Sequence, residues 1–241
     1  MVNELIAYCG PAAVPEDVWL RWNTDPVLIA ALAALAYGVA RRATHKNAGW
    51  AAIALMAVVF ISPLCALSSA PFSVRVLHHV ILVSAAAPLL ALAFPQRRAG
   101  VVPLALLVAA HAVALWVWHA PGPYSWGLAT VPGYWLMQLT LLGSAWWMWR
   151  AILANTTPNG SALVALAVTV GQMGLLGALI VFASVPLYPV HFASTLEWGF
   201  TPLSDQQLAG LLMWVPAMLP YLATGLWLAW TSLRPNTEVA L

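Results

Sequence analysis

Residues 161–185, SALVALAVTVGQMGLLGALIVFASV, run for twenty-five positions without one Asp, Glu, Lys or Arg. A bilayer's hydrocarbon layer takes about 20 helical residues at a rise of roughly 1.5 Å each. This stretch is long enough to cross it. The rest of the chain agrees. Its 241 residues are 63% hydrophobic and only 7% charged, whereas a soluble domain carries roughly a quarter charged residues. So few charges cannot solvate a water-facing surface. The alternation of a membrane barrel is absent, so the sequence predicts an all-α polytopic membrane protein. Six further apolar stretches at 26–40, 50–67, 72–94, 100–119, 132–149 and 207–230 bring the expected number of transmembrane helices to seven.

The breaks between stretches carry charges or Pro/Gly/Asn clusters, as in RRATHKN, PQRR, APGPYS and NTTPNG. Pro63, Pro88, Pro103, Pro216 and Pro220 fall within the stretches and predict kinks. Gly171, Gly174 and Ala178 suggest a small-residue face for close helix packing. The first 25 residues are interrupted by Glu4, Pro11, Pro15, Glu16 and Asp17. They lack the basic-then-apolar order of a signal peptide. The expected organisation is an extramembrane N-terminal segment 1–25, a membrane domain 26–231 and a C-terminal tail 232–241.

Basic residues set the expected orientation. With the N-terminus outside, Arg41, Arg42, Lys46, Arg97, Arg98, Arg150 and Arg234 fall inside, and only Arg21 and Arg75 outside. Glu4, Glu16, Asp17, Asp25, Glu197 and Asp205 also fall outside. The expectation is N-out and C-in, with "outside" being the periplasm of a bacterial inner membrane. Tryptophans fit as interfacial belts, among them Trp118 outside and Trp149 inside. The net charge of +2 and its scatter give no sign of a nucleic-acid partner.

The same topology sorts the histidines. His45 lies among cytoplasmic basic residues, whereas His78, His79, His111, His119 and His191 all fall in the outer half. His79 and His111 are expected at similar depth, with Met213 and Met137 near it. Ionisable groups within a bilayer are costly and usually functional. Imidazole together with thioether suits copper, above all Cu(I). The expected ligands are therefore His79, His111, His119, His191 and Met213. His78 points about 100° away from His79 and is accessory. Each residue also has a plainer role open to it: a histidine can hydrogen-bond a carbonyl, His119 can cap a helix end, and a methionine can fill a core. A haem held between His79 and His111 is the alternative cofactor.

Cys9 and Cys65 both fall outside. They can form a disulfide there, serve as soft ligands, or be buried apolar residues. Asp205 can cap its own helix or orient a histidine. No nucleotide-binding loop and no Ser–His–Asp set is present. Carboxylates within the spans are lacking, which counts against a proton or solute transporter. An enzyme is not expected.

Four segments also carry a resemblance. HHVILVSAAAPLLALAFP (78–95), WHAPGPYSWGL (118–128), VPLYPVHFAS (185–194) and PLSDQQLAGLLMWVP (202–216) resemble the motif blocks of the multi-pass CtaG family. That family supplies assembly factors for caa-type cytochrome c oxidases, and the likeness spans most of residues 68–233. It implies a seven-helix inner-membrane protein that helps mature a copper-containing oxidase through copper delivery, with oxidase subunits as partners. A stable accessory subunit is the alternative place in that pathway. His79, His119 and Asp205 match the family's motif positions. Many members carry a histidine in the fifth span, where this chain has Met137 and Gln138.

Overall fold

The computed structural model describes residues 8–233. Glu4, Arg234 and the tail beyond it lie outside the described residues. The described chain is helical, without strands. Helix α1 (Pro26–Arg42) starts where Asp25 accepts the Val27 amide at 2.8 Å, with Pro26 in the first position, where its missing N–H costs nothing. α2 (Lys46–Phe60) returns alongside it. The two come close at Gly49, where a Cβ would lie 2.7 Å from Val39. The short α3 (Leu64–Leu67) follows.

α4 (Phe72–Val80), a π-helical segment at Ile81–Ala86 and α5 (Ala87–Ala93) form one continuous rod. Pro88 explains the wide turn. It has no N–H for the carbonyl four residues back, and the helix widens just before it. The indole of Trp149 donates to the Val83 carbonyl in this segment at 3.2 Å.

α6 (Leu104–His119) bends by 78° into α7 (Pro121–Ala129). α8 (Val131–Ile152) and α9 (Asn159–Phe182) follow. After α10 (Phe192–Leu196), α11 (Pro202–Trp214) continues through a 3-10 turn at Pro216–Met218 into α12 (Leu219–Leu233). The helical rods thus lie where the apolar stretches predicted them. By length and composition, three cross the threshold for a span among the described residues: Phe72–Ala93, Asn159–Phe182 and Pro202–Leu233, with the bent α6–α7 pair as a fourth.

Several sequence expectations need correction. Pro63 and Pro103 kink nothing, because α2 has ended at Phe60 and Pro103 only caps α6. Trp149 is fully buried and packs on Tyr221 at 4.7 Å, so it belongs to the core and not to an interfacial belt. Trp118 is buried too and donates to Thr140 at 2.8 Å. The close helix crossing is made by Gly177 and Gly210, not by Gly171. A Cβ at Gly210 would meet the Gly177 carbonyl at 2.7 Å, whereas Gly171 faces open space.

The two ends of the bundle differ in charge. One end carries the segment 8–25, which packs under Trp198 and against Ala66. Among the described residues, all five acids (Glu16, Asp17, Asp25, Glu197 and Asp205) lie there, with Arg21 and Arg75. The opposite end is held by the Thr44 amide on the Ala93 carbonyl and by Arg150 on the Phe94 carbonyl. It carries Arg41, Arg42, Lys46, Arg97, Arg98 and Arg150, and no acid among the described residues.

Candidate functional site

Five histidines are buried, four at the acid-bearing end and His111 midway along α6. Helix geometry decides how they meet. On α4, Arg75 stands three residues from His78 and four from His79, so it neighbours both on the helix surface. His79 meets two neighbouring helices. Its Nε2 lies 3.2 Å from the Gln138 amide on α8, and its ring centre 5.7 Å from that of His119 at the end of α6. The expected pairing of His79 with His111 at one depth is therefore corrected. His111 sits about two turns further along α6, where its Nδ1 is 3.0 Å from the Ser144 hydroxyl.

The bonds already made fix what the rings can still do. His119 Nδ1 donates to the Leu115 carbonyl at 2.8 Å, which places the proton there and leaves the Nε2 lone pair free. That Nε2 is buried without a protein partner, and so is Nδ1 of His79. Metal–nitrogen bonds of about 2 Å put two imidazoles that share an ion roughly 5–6.5 Å apart between centres. The observed spacing lies within that range. His191 is different, since both its nitrogens are engaged. Nδ1 donates to the Ala70 carbonyl at 2.7 Å, and Nε2 accepts from the Tyr124 hydroxyl at 2.5 Å. Burial holds its imidazolium form off down to about pH 4. No three of the His, Cys, Asp and Glu side chains among the described residues converge on one point. Of the expected ligands, the structure brings His79 and His119 together, with His78 beside His79. Met213 is buried on α11.

Cys9 and Cys65 form a disulfide, so neither offers a free thiolate. It ties the N-terminal segment over the histidine end, and Tyr8 stacks on Tyr134 there at 4.8 Å. Asp205 does neither thing expected of it. Thr201 caps α11. The Asp205 carboxylate instead reaches across to α4, accepting the Phe72 amide at 2.7 Å, the Ser73 amide at 3.1 Å and the Thr195 hydroxyl at 3.2 Å. It caps the very helix that carries His78 and His79. Gln206 next to it accepts the Leu187 amide at 2.6 Å and donates to the Ile180 carbonyl at 3.2 Å. The DQQ segment is a clamp that fixes α4 and the 183–201 loop around the site.

Two residues gain weight that sequence reasoning did not give them. Arg75 is fully buried and its guanidinium lies 5.3 Å from the Tyr134 ring. Its i, i+3, i+4 spacing to the histidines was a visible signal. Gln138, noted only as a departure from the family pattern, is the side chain facing His79.

A family model described as cytochrome c oxidase caa3 assembly factor matches residues 98–235. The match begins just after the first of the four motif blocks and includes the other three. Comparison with curated proteins and with solved structures gives no match.

Proposed function

The chain belongs to the cytochrome c oxidase caa3 assembly factor family, and from that premise we propose that it handles Cu(I) as cargo for a haem-copper oxidase. In this proposal it is a seven-span protein of a bacterial inner membrane, with the histidine end facing the periplasm. The charge separation between the two ends supports that orientation. The protein acts as a carrier and not as an enzyme.

The observation that carries the copper proposal is the His79–His119 pair. Two imidazoles from different helices each keep one buried nitrogen without a protein partner, and the His79 Nδ1 lone pair is free when the Gln138 amide turns its carbonyl to accept the Nε2 proton. A buried polar atom left unpaired costs about 1–3 kcal/mol, which an arriving soft cation offsets. Gln138 and His78 flank the pair. Arg75 is a fixed cation on α4 that acts electrostatically on both His78 and His79. It weakens the hold on a positive ion. That favours passing the ion on over storing it, and oxidase subunits are the proposed receivers.

The test is Cu(I) loading of detergent-purified protein against a chromophoric chelator. Wild type should bind copper, and His79→Ala/His119→Ala should lose it. His111→Ala and Met213→Leu should change affinity by less than about threefold, well under the tenfold step that 1.4 kcal/mol represents. Gln138→His, which adds a third imidazole, should tighten binding at least about tenfold. Equal copper in wild type and in the double variant would overturn the ligand assignment. A Soret band in the visible spectrum of the same sample would turn the assignment towards haem.

A further inference from the structure

The charged end opposite the histidines holds a cavity of about 740 Å³, within the usual size range of small-molecule sites. Its polar lining includes Arg97, Arg150 and Thr44, and its apolar lining includes Leu92, Leu153 and Trp227. Arg150 spends only Nε on protein, donating to the Phe94 carbonyl at 2.8 Å, while its guanidinium lies 4.9 Å from the Trp146 ring. Arg97 gives one nitrogen to the Thr44 hydroxyl at 3.3 Å. The other guanidinium nitrogens remain to be matched, and no acid lies at this end among the described residues. Among the described residues, no side chain supplies a counter-charge to these two arginines. Leu92 and Trp227 in the lining are 40% and 56% exposed, so the cavity offers large apolar side chains as well as charge. A free anion in water has no use for such walls.

We propose that this cavity binds an anionic phospholipid, with the phosphodiester between Arg97 and Arg150 and an acyl chain against Leu92 and Trp227. Basic pockets between membrane helices recognise such headgroups by charge, and their apolar walls take the chain. The assignment is independent of the copper proposal, since it uses neither the same end nor the same side chains.

The experiment is native mass spectrometry of the intact protein in non-ionic detergent, titrated with phosphatidylglycerol or phosphatidylcholine. Wild type should retain phosphatidylglycerol at least about fivefold over phosphatidylcholine, the discrimination expected of one basic contact. Arg97→Gln should lower phosphatidylglycerol retention by a similar factor and leave phosphatidylcholine unchanged. Ala223→Phe, which fills the cavity without touching a charge, should lower both. Arg41→Gln, at the same end but outside the cavity, should lower neither. Equal retention of the two lipids, or indifference to both Arg97→Gln and Ala223→Phe, overturns the proposal. So does Arg41→Gln acting as strongly as Arg97→Gln. A fourth overturning result is thermal stabilisation by inorganic phosphate alone that equals the effect of phosphatidylglycerol.

Discussion

At the scale of single residues, the buried polar groups decide the behaviour of the site, and each makes a measurable prediction. His191 stays neutral in the folded protein down to about pH 4, because burial disfavours its cation, while an unfolded histidine protonates near pH 6.5. Between those values the unfolded chain binds more protons. The contribution is therefore whole above about pH 6.5 and is lost as the pH falls towards 4, by up to about 3 kcal/mol. Thermal unfolding from pH 7.5 to 4.5 should show a smaller acid loss in His191→Gln than in wild type; parallel curves would remove His191 from that account. Asp205 gives a second case. Asp205→Ala orphans the buried Phe72 and Ser73 amides at the start of α4, at a cost of about 2–4 kcal/mol. The loss should appear as a lowered melting temperature, with Asp205→Asn falling between the two. The sequence made Asp205 conspicuous, but not its partner, since a carboxylate that caps a helix 133 positions away leaves no local signature.

At the scale of elements, α9 and α11 cross at close range. A Cβ at Gly210 would sit 2.6 Å from a Val181 methyl and 2.7 Å from the Gly177 carbonyl. Backbone and not a flexible tip stands in the way, so Gly210→Ala should cost about 1–3 kcal/mol. Gly171→Ala meets nothing within 4 Å and should be neutral or gain up to about 1 kcal/mol from helix propensity. Melting temperatures of the two variants in one detergent check the contrast, and equal losses would refute it. Small-residue spacing announced a close contact on α9, and Gly174 does face Trp214 of α11, but the closest approach falls at Gly177 and none at Gly171. Spacing gives a face, whereas the partner helix selects the position on that face. The kinks follow the same rule. Pro88 and Pro216 could be recognised from sequence because proline acts locally. Pro63 and Pro103 misled because nothing local says where a helix has already ended.

At the scale of the whole molecule, the Cys9–Cys65 disulfide closes a loop with a sequence separation of 56. Chain-entropy reasoning gives such a link about 4 kcal/mol. It also pins residues 8–25 over the histidine end, where Arg21 pairs with Asp17 at 2.9 Å and donates to the Pro11 carbonyl at 2.8 Å. Trypsin should cut after Arg21 slowly in the oxidised protein and several times faster after reduction, as read by mass spectrometry. An unchanged rate would mean that packing under Trp198 holds the segment unaided. The sequence by itself determined the class of solvent, the helical rods, the charge asymmetry of the ends and the crowding of histidines at one of them. All of these follow from composition and from period along the chain. Tertiary structure alone decided that His79 meets His119 and not His111, that Asp205 serves α4, that the cysteines are joined, and that Arg75 stands buried among the site's rings. Those facts depend on the rotation and depth of each helix relative to its neighbours. Such offsets are set by side-chain packing between segments far apart in the chain, and no local pattern encodes them.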